Sequence, residues 1–130
     1  MDTIAQALTT IKNSVMAKRE VIEIPYSNIV YEIGKILKTN QYLEDILVKV
    51  DKETKNKFII VKPRYVDGNP VLNNVKRISK LSRRIYSKAS DLHNIRKGYG
   101  ILIVSTPKGV MTGADARIKK VGGEVLAEIW

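Results

Sequence analysis

The sequence contains no cysteine, a single histidine (His93) and no apolar run approaching a membrane span. The first absence removes disulfide frameworks and thiolate metal centres. The second leaves Ser and Thr hydroxyls without a histidine cluster to activate them, which argues against nucleophilic catalysis. A spanning helix needs about 20 consecutive apolar residues, and none occurs. The start, Met1-Asp2-Thr3-Ile4, lacks the basic-then-apolar pattern of a secretory signal, so a cytoplasmic location is expected. The 13 acids are dispersed, with Glu44-Asp45 as the one adjacent pair, and no Walker or dinucleotide glycine motif is present. Neither an enzyme nor a metal nor an organic cofactor is expected. His93, alone in a polar segment, reads as a surface residue.

What is present is ordinary in hydrophobicity and unusual in charge. Apolar residues make up 44% of the 130, enough for a packed core. Lys and Arg number 23 against 13 Asp and Glu, a formal charge of +10. Such a cation concentrates polyanions, and nucleic acid leads the candidate partners ahead of an acidic membrane surface. Neither helix joins a strongly basic face to bulky aromatics, which argues against the membrane. Residues 66–130 hold 12 bases and 5 acids, and that difference supplies +7 of the +10.

Asp2 and Thr3 are N-cap candidates, and Ile4, Ala7, Leu8, Ile11 and Val15 predict a helix from about Thr3 to Ala17. Residues 21–25 alternate apolar and acidic side chains as a short strand does. Ser27 caps a second helix carrying Ile29, Val30, Ile33, Ile36 and Leu37, with Asn40 as its stop. Residues 42–50 and 58–65 read as a hairpin around a polar loop whose Lys52, Lys55 and Lys57 sit among acids as a solvated face. Pro63 predicts an edge strand or a bulge. The turn formers Val66-Asp67-Gly68-Asn69-Pro70 mark a boundary, giving an N-terminal α/β domain over 1–66 and a C-terminal β-rich domain over 67–130. Residues 75–99 then hold eight bases (Lys76, Arg77, Lys80, Arg83, Arg84, Lys88, Arg96, Lys97) against one acid, Asp91. An apolar strand over 100–105, a tight loop, a short helix over 114–120 and a last strand over 124–130 complete the chain.

The segment Ser105-Thr106-Pro107-Lys108-Gly109-Val110-Met111-Thr112 carries the clearest chemistry. A buried strand delivers two hydroxyls, an ammonium and a glycine to one exposed loop. Hydroxyls bond phosphate, ribose and base edges, and glycine admits close backbone approach. Those are the features by which folded RNA is read. The same residues also make an ordinary β-turn with Lys108 in solvent, and the loop alone leaves both readings open. Tyr86 can stack on a base, or pack on a sheet with its hydroxyl in water. Arg83 and Arg84 read as phosphate partners, because few acids lie near them in sequence.

The run Gly100 to Thr112, followed by Ala116-Arg117 and Gly122-Gly123-Glu124-Val125, closely resembles the C-terminal signature of the S-eight family of bacterial-type small-subunit ribosomal proteins. Three further blocks stand in that family's order. They are Asp2-Thr3-Ile4-Ala5 with Leu8-Thr9 and Ile11-Lys12-Asn13, then Ile24-Pro25-Tyr26-Ser27, then Arg83-Arg84-Ile85-Tyr86. The likeness covers nearly the whole length.

The resemblance implies an α+β protein of two small domains: an N-terminal helix-strand-helix plus hairpin, and a C-terminal β-rich domain with a short helix. It implies binding to the central domain of small-subunit ribosomal RNA early in assembly. Ser105, Thr106, Lys108 and Gly109 would meet a distorted RNA helix, with Tyr86, Gly122, Gly123 and Glu124 beside it. The Glu124 carboxylate would accept from base amino groups or hold the loop. Thr3, Lys12 and Asn13, with Ser27, would form a second patch facing backbone and ribose. Neighbouring small-subunit ribosomal proteins are the expected protein partners, the chain is expected to be a monomer off the ribosome, and its own messenger is a second RNA ligand the resemblance allows. The chain departs from the family pattern at Pro107, where many members have a hydroxyl, and at Leu81-Ser82, where many have Pro-Gly. It also has Thr3 where a proline is common.

Overall fold

The computed structural model describes residues 2–92 and 100–130. The expectations for His93, Arg96 and Lys97 therefore lie outside the described residues. The architecture is α+β, and the chain divides into two compact units: Thr3–Asn73, and Asn74–Trp130 with Asp2.

In the first unit α1 (Thr3–Met16) buries Ile4, Ala7, Leu8, Ile11 and Val15, the stripe that helical spacing predicts. The strand β1 (Ile22–Pro25) turns Ile22 and Ile24 inward, and α2 (Asn28–Thr39) buries Val30, Ile33 and Leu37. Then come β2 (Leu43–Val50) and β3 (Lys57–Pro63), paired antiparallel, with β1 on the far side of β3. Both helices line a core closed below by Ile59 and Val61, with Leu37 and Ile59 fully enclosed. Burying side chains of this size stabilises the unit by roughly 1.5–3 kcal/mol each.

Of the two alternatives expected at Pro63, an edge strand or a bulge, the bulge is found: β3 is central in its sheet, and the facing strand β2 bulges opposite Pro63. Pro63 is tolerated there because β1 pairs no further than Val61, while β2 meets Pro63 through a bulge between Leu43 and Asp45. The turn formers at 66–70 build a small hairpin of β4 (Tyr65–Val66) and β5 (Asn69–Pro70). Its two-residue turn places Asp67 (φ 52) and Gly68 (φ 79) in the left-handed region. The sequence expectation sets the domain boundary at 66/67, inside this turn, whereas the compact units meet between Asn73 and Asn74.

The second unit is a sheet of β6 (Val75–Arg77), β10 (Gly123–Ile129), β8 (Ile101–Thr106) and β9 (Gly109–Thr112) in that order. A fifth strand, β7 (Tyr86–Ser87), also pairs with β10, and a short 3-10 turn (Ala89–Asp91) follows it. Between β9 and β10 lies α3 (Gly113–Ile118), whose N-cap Thr112 accepts from the Asp115 amide at 3.1 Å. Leu92, Val104, Met111, Ala116 and Val125 form its core. A bulge between Val125 and Ala127 breaks the expected alternation, so Val125, Leu126 and Ala127 are all buried.

Candidate nucleic-acid interface

The hairpin of β8 and β9 ends in a two-residue turn, Pro107-Lys108, closed by the pairing of Thr106 with Gly109. Gly109 adopts φ 116, where a side chain would strain the backbone, and open space surrounds the position. The two hydroxyls divide their work. Thr106 Oγ1 donates to the Gly109 carbonyl at 2.8 Å and accepts from the Lys108 amide at 3.1 Å, so it builds the turn. The Ser105 hydroxyl has no protein partner among the described residues, and Lys108 is exposed and unpaired there.

Ser105 does not stand alone. Across the sheet it pairs with Glu124, and Glu124 pairs with Tyr86 on the other side, so the three form one cross-strand row. Directly opposed residues of antiparallel strands share a face. Tyr86 is 70% exposed, an unusual placement for a large ring in a sheet.

Gly122 and Gly123 make the row possible. A Cβ on Gly123 would overlap the Ser105 carbonyl, and one on Gly122 would overlap the Ser87 carbonyl. The start of β10 threads between two backbones with no room for side chains. The paired glycines thus set the spacing of the row.

Glu124 is held from inside the unit. Ser79, fully buried, donates its hydroxyl to Glu124 Oε2 and accepts the Ile85 amide at 3.0 Å. Arg84 Nη1 donates to both carboxylate oxygens, at 3.1 and 3.3 Å. Arg84 therefore has an internal ion-pair partner, contrary to the expectation drawn from the few acids near it in sequence. Strand pairing brings in an acid 40 residues away that local sequence does not show. Ser79 was not singled out from the sequence, and a lone serine in a basic stretch gives no signal of burial. Arg83 closes a two-residue turn with Lys80 through amide–carbonyl bonds of 2.8 and 3.0 Å, its side chain exposed, with Leu81 and Ser82 at the tip.

The remaining candidates belong to the first unit. Thr3 and Lys12 are nine residues apart, two and a half helical turns, which puts them on opposite flanks of α1. Thr3 lines an open groove of about 550 Å³ with Gln6, Thr10, Ile24 and Pro25. Asn13 lines a second of about 360 Å³ with Thr10, Ser14, Arg19 and Ile22. The helical wall of these grooves carries hydroxyls and amides and no acid, so Gln6 and Thr10, absent from the sequence candidates, share the flank of Thr3 and Asn13. Ser27 occupies the N-cap of α2 without a side-chain capping bond.

Two ion pairs lie elsewhere among the described residues of the first unit. Lys38 bonds Asp45 at 2.9 Å, and with the Ile46 amide it holds that carboxyl below its usual range. The Glu53 and Thr54 amides lower Asp51 in the same way, and Glu32 raises Lys35 from 3.0 Å. Among the described residues no group of acids could hold a metal, and no helix is long and apolar enough to cross a membrane.

The sequence model of the family described as ribosomal protein S8 matches residues 2–130. Curated relatives agree over the same span. Small ribosomal subunit protein uS8 of Nitratidesulfovibrio vulgaris is 40% identical over 129 residues, 99% of this chain and 98% of that protein. The protein of that name from Streptococcus agalactiae is 45% identical over 130 residues, 99% and 97% of the two chains. That of Streptococcus uberis is 44% identical over the same shares.

Proposed function

This chain belongs to the ribosomal protein S8 family, and on that premise we propose that it is a structural constituent of the small ribosomal subunit that grips folded ribosomal RNA. The family is one of ribosomal proteins and not of enzymes. The ligand is the central domain of small-subunit ribosomal RNA, bound early in assembly, in the cytoplasm and beside neighbouring ribosomal proteins. The observation that carries this reading is the row Tyr86–Glu124–Ser105 ending at the Thr106–Gly109 turn.

The geometry suits RNA for three reasons. An exposed tyrosine offers a stacking plane, an unpaired serine hydroxyl offers a donor to base edge or ribose, and the turn offers a cation beside open backbone. Arg83 and Lys108 contribute phosphate contacts that position the protein without reading sequence. The α1 flank of Thr3 and Asn13, with Lys12 on the other side and Ser27 at α2, offers separate weaker contacts to backbone and ribose. An element of its own messenger that mimics the ribosomal site would engage the same row, and a footprint on that messenger tests this second ligand.

Binding of the purified chain to a central-domain RNA fragment, with a scrambled duplex as competitor across a salt series, tests the reading. Binding to the fragment is expected to exceed binding to the duplex by at least about 10³-fold, the low end for specific nucleic-acid recognition, and to persist as salt rises. Equal binding to both RNAs, lost together with salt, would leave charge alone at work and sink the assignment.

A further inference from the structure

An acid stands in the middle of the row on which the RNA reading depends, between Tyr86 and Ser105. A carboxylate facing RNA repels phosphate, but Glu124 is turned inward, its side chain 14% exposed. Ser79 anchors one oxygen from the buried side. The remaining partner is Arg84, half exposed, whose guanidinium has both carboxylate oxygens as acceptors. Arg83, the neighbouring cation, has no such partner among the described residues.

Resting on the RNA-binding reading above, we propose that Glu124 is a specificity-determining residue that acts by tethering Arg84. The tether withdraws a guanidinium from indiscriminate phosphate contact, so the surface beside it is read through Ser105, Tyr86 and the turn. Each phosphate contact adds the same affinity to every RNA, whereas a base or shape contact adds affinity for one. Holding back one cation therefore lowers competing binding more than cognate binding. The charge of the carboxylate is the working part. A neutral isostere keeps the hydrogen bond from Ser79 and releases the arginine. An ion pair as exposed as this one is weak, so the bias it sustains is about two- to five-fold.

The test uses the full chain and a scrambled RNA duplex titrated across a salt series. Glu124→Gln is compared with Asp115→Asn, an equal charge change at an exposed carboxylate that holds no cation among the described residues. Glu124→Gln is expected to bind the duplex about two- to five-fold tighter at low salt, with a salt slope steeper by about 0.9, one added phosphate contact. Asp115→Asn is expected to raise affinity without steepening the slope. Adding Arg84→Met to Glu124→Gln should remove the steepening. Equal slopes in the two single variants, or steepening that survives the double substitution, overturn the tether. The duplex carries no cognate site, so this result is separate from the RNA reading, which fails if the native chain does not prefer the central-domain fragment. A measurement on the native protein covers the case of a misfolded variant. Nitrogen-15-labelled arginine should show hindered rotation of the Arg84 guanidinium in the free protein, and free rotation there refutes the proposal.

Discussion

The two units are built from the same material, antiparallel strands and helices, and each forms two ion pairs of its own among the described residues, yet their charge balance differs. Thr3–Asn73 holds 11 bases and 8 acids, a net +3, and its Lys38–Asp45 and Lys35–Glu32 contacts are internal. Asn74–Trp130 with Asp2 holds 12 bases and 5 acids, a net +7. Among the described residues, two of its acids form ion pairs with arginines, Asp2 with Arg77 and Glu124 with Arg84. The difference teaches that a basic surface is not merely an excess of cations. The second unit leaves Arg83 and Lys108 to solvent and pairs Arg77 and Arg84 with acids, the arrangement on which the proposed selectivity rests.

Glycine sharpens the contrast and gives the largest expected effect. A Cβ at Gly123 would strike the Ser105 backbone, whereas one at Gly34, in α2, would meet the far end of the Ile46 side chain. Backbone cannot move aside without disturbing two strands, but an isoleucine tip can change rotamer. Gly123→Ala is expected to destabilise the protein by about 3 kcal/mol, the upper part of the overpacking range. Gly34→Ala should remain within about 1 kcal/mol of the native protein, since the helix gains a similar amount from alanine. Urea unfolding of both variants decides the matter. Equal losses would mean that the strand spacing at the row is no tighter than ordinary helix packing.

Glycine also shows what was legible in sequence. The helices α1 and α2 could be read from apolar spacing, β8 from its apolar run and the Pro107-Lys108 turn from its turn formers, whereas the alternation expected of β10 is broken by its bulge. The strands β6 and β7 could not be read, because each is two or three residues of a basic stretch whose extended form is imposed by β10. The paired glycines were visible as a motif, but the reason for them, two backbones within reach, exists only after the strands assemble. The Arg84–Glu124 pair was hidden for the same reason, and the burial of Ser79 leaves no trace in local composition. At Pro63 sequence alone left an edge or a bulge; the bulge opposite it on β2, and the end of the β1 pairing at Val61, are settled only by the sheet. The site residues of the second unit were gathered by the family likeness, whereas the scatter of Thr3 and Lys12 around α1 follows from helix geometry that spacing alone already contained.

The second prediction separates building from reading within the row. The double substitution of Ser105→Ala with Thr106→Ala is expected to weaken binding to the central-domain fragment by about 1–3 kcal/mol. The single variants should divide that loss differently. Ser105→Ala removes a hydroxyl with no protein partner among the described residues, so it should lower affinity and leave the urea midpoint unchanged. Thr106→Ala removes both hydroxyl bonds of the turn, so stability should fall as well. Unchanged affinity in a folded double variant would dismantle the assignment of this loop.

The smallest expected effect compares the units at matched places, the tips of their hairpins. Lys52 sits in the β2–β3 connection beside Asp51 and Glu53, and Lys108 sits in the β8–β9 turn with no acid adjacent. Both are exposed, and both removals change the net charge by one. If long-range charge alone governed RNA binding, the two would be equivalent. A phosphate contact releases a counterion, whereas a distant charge does not, so the salt slope distinguishes them. Lys108→Ala is expected to make the slope shallower by about 0.9, and Lys52→Ala to leave it unchanged. Equal changes in both slopes would erase the functional difference between the units, because a lysine among acids would then serve RNA as well as one held on an open turn.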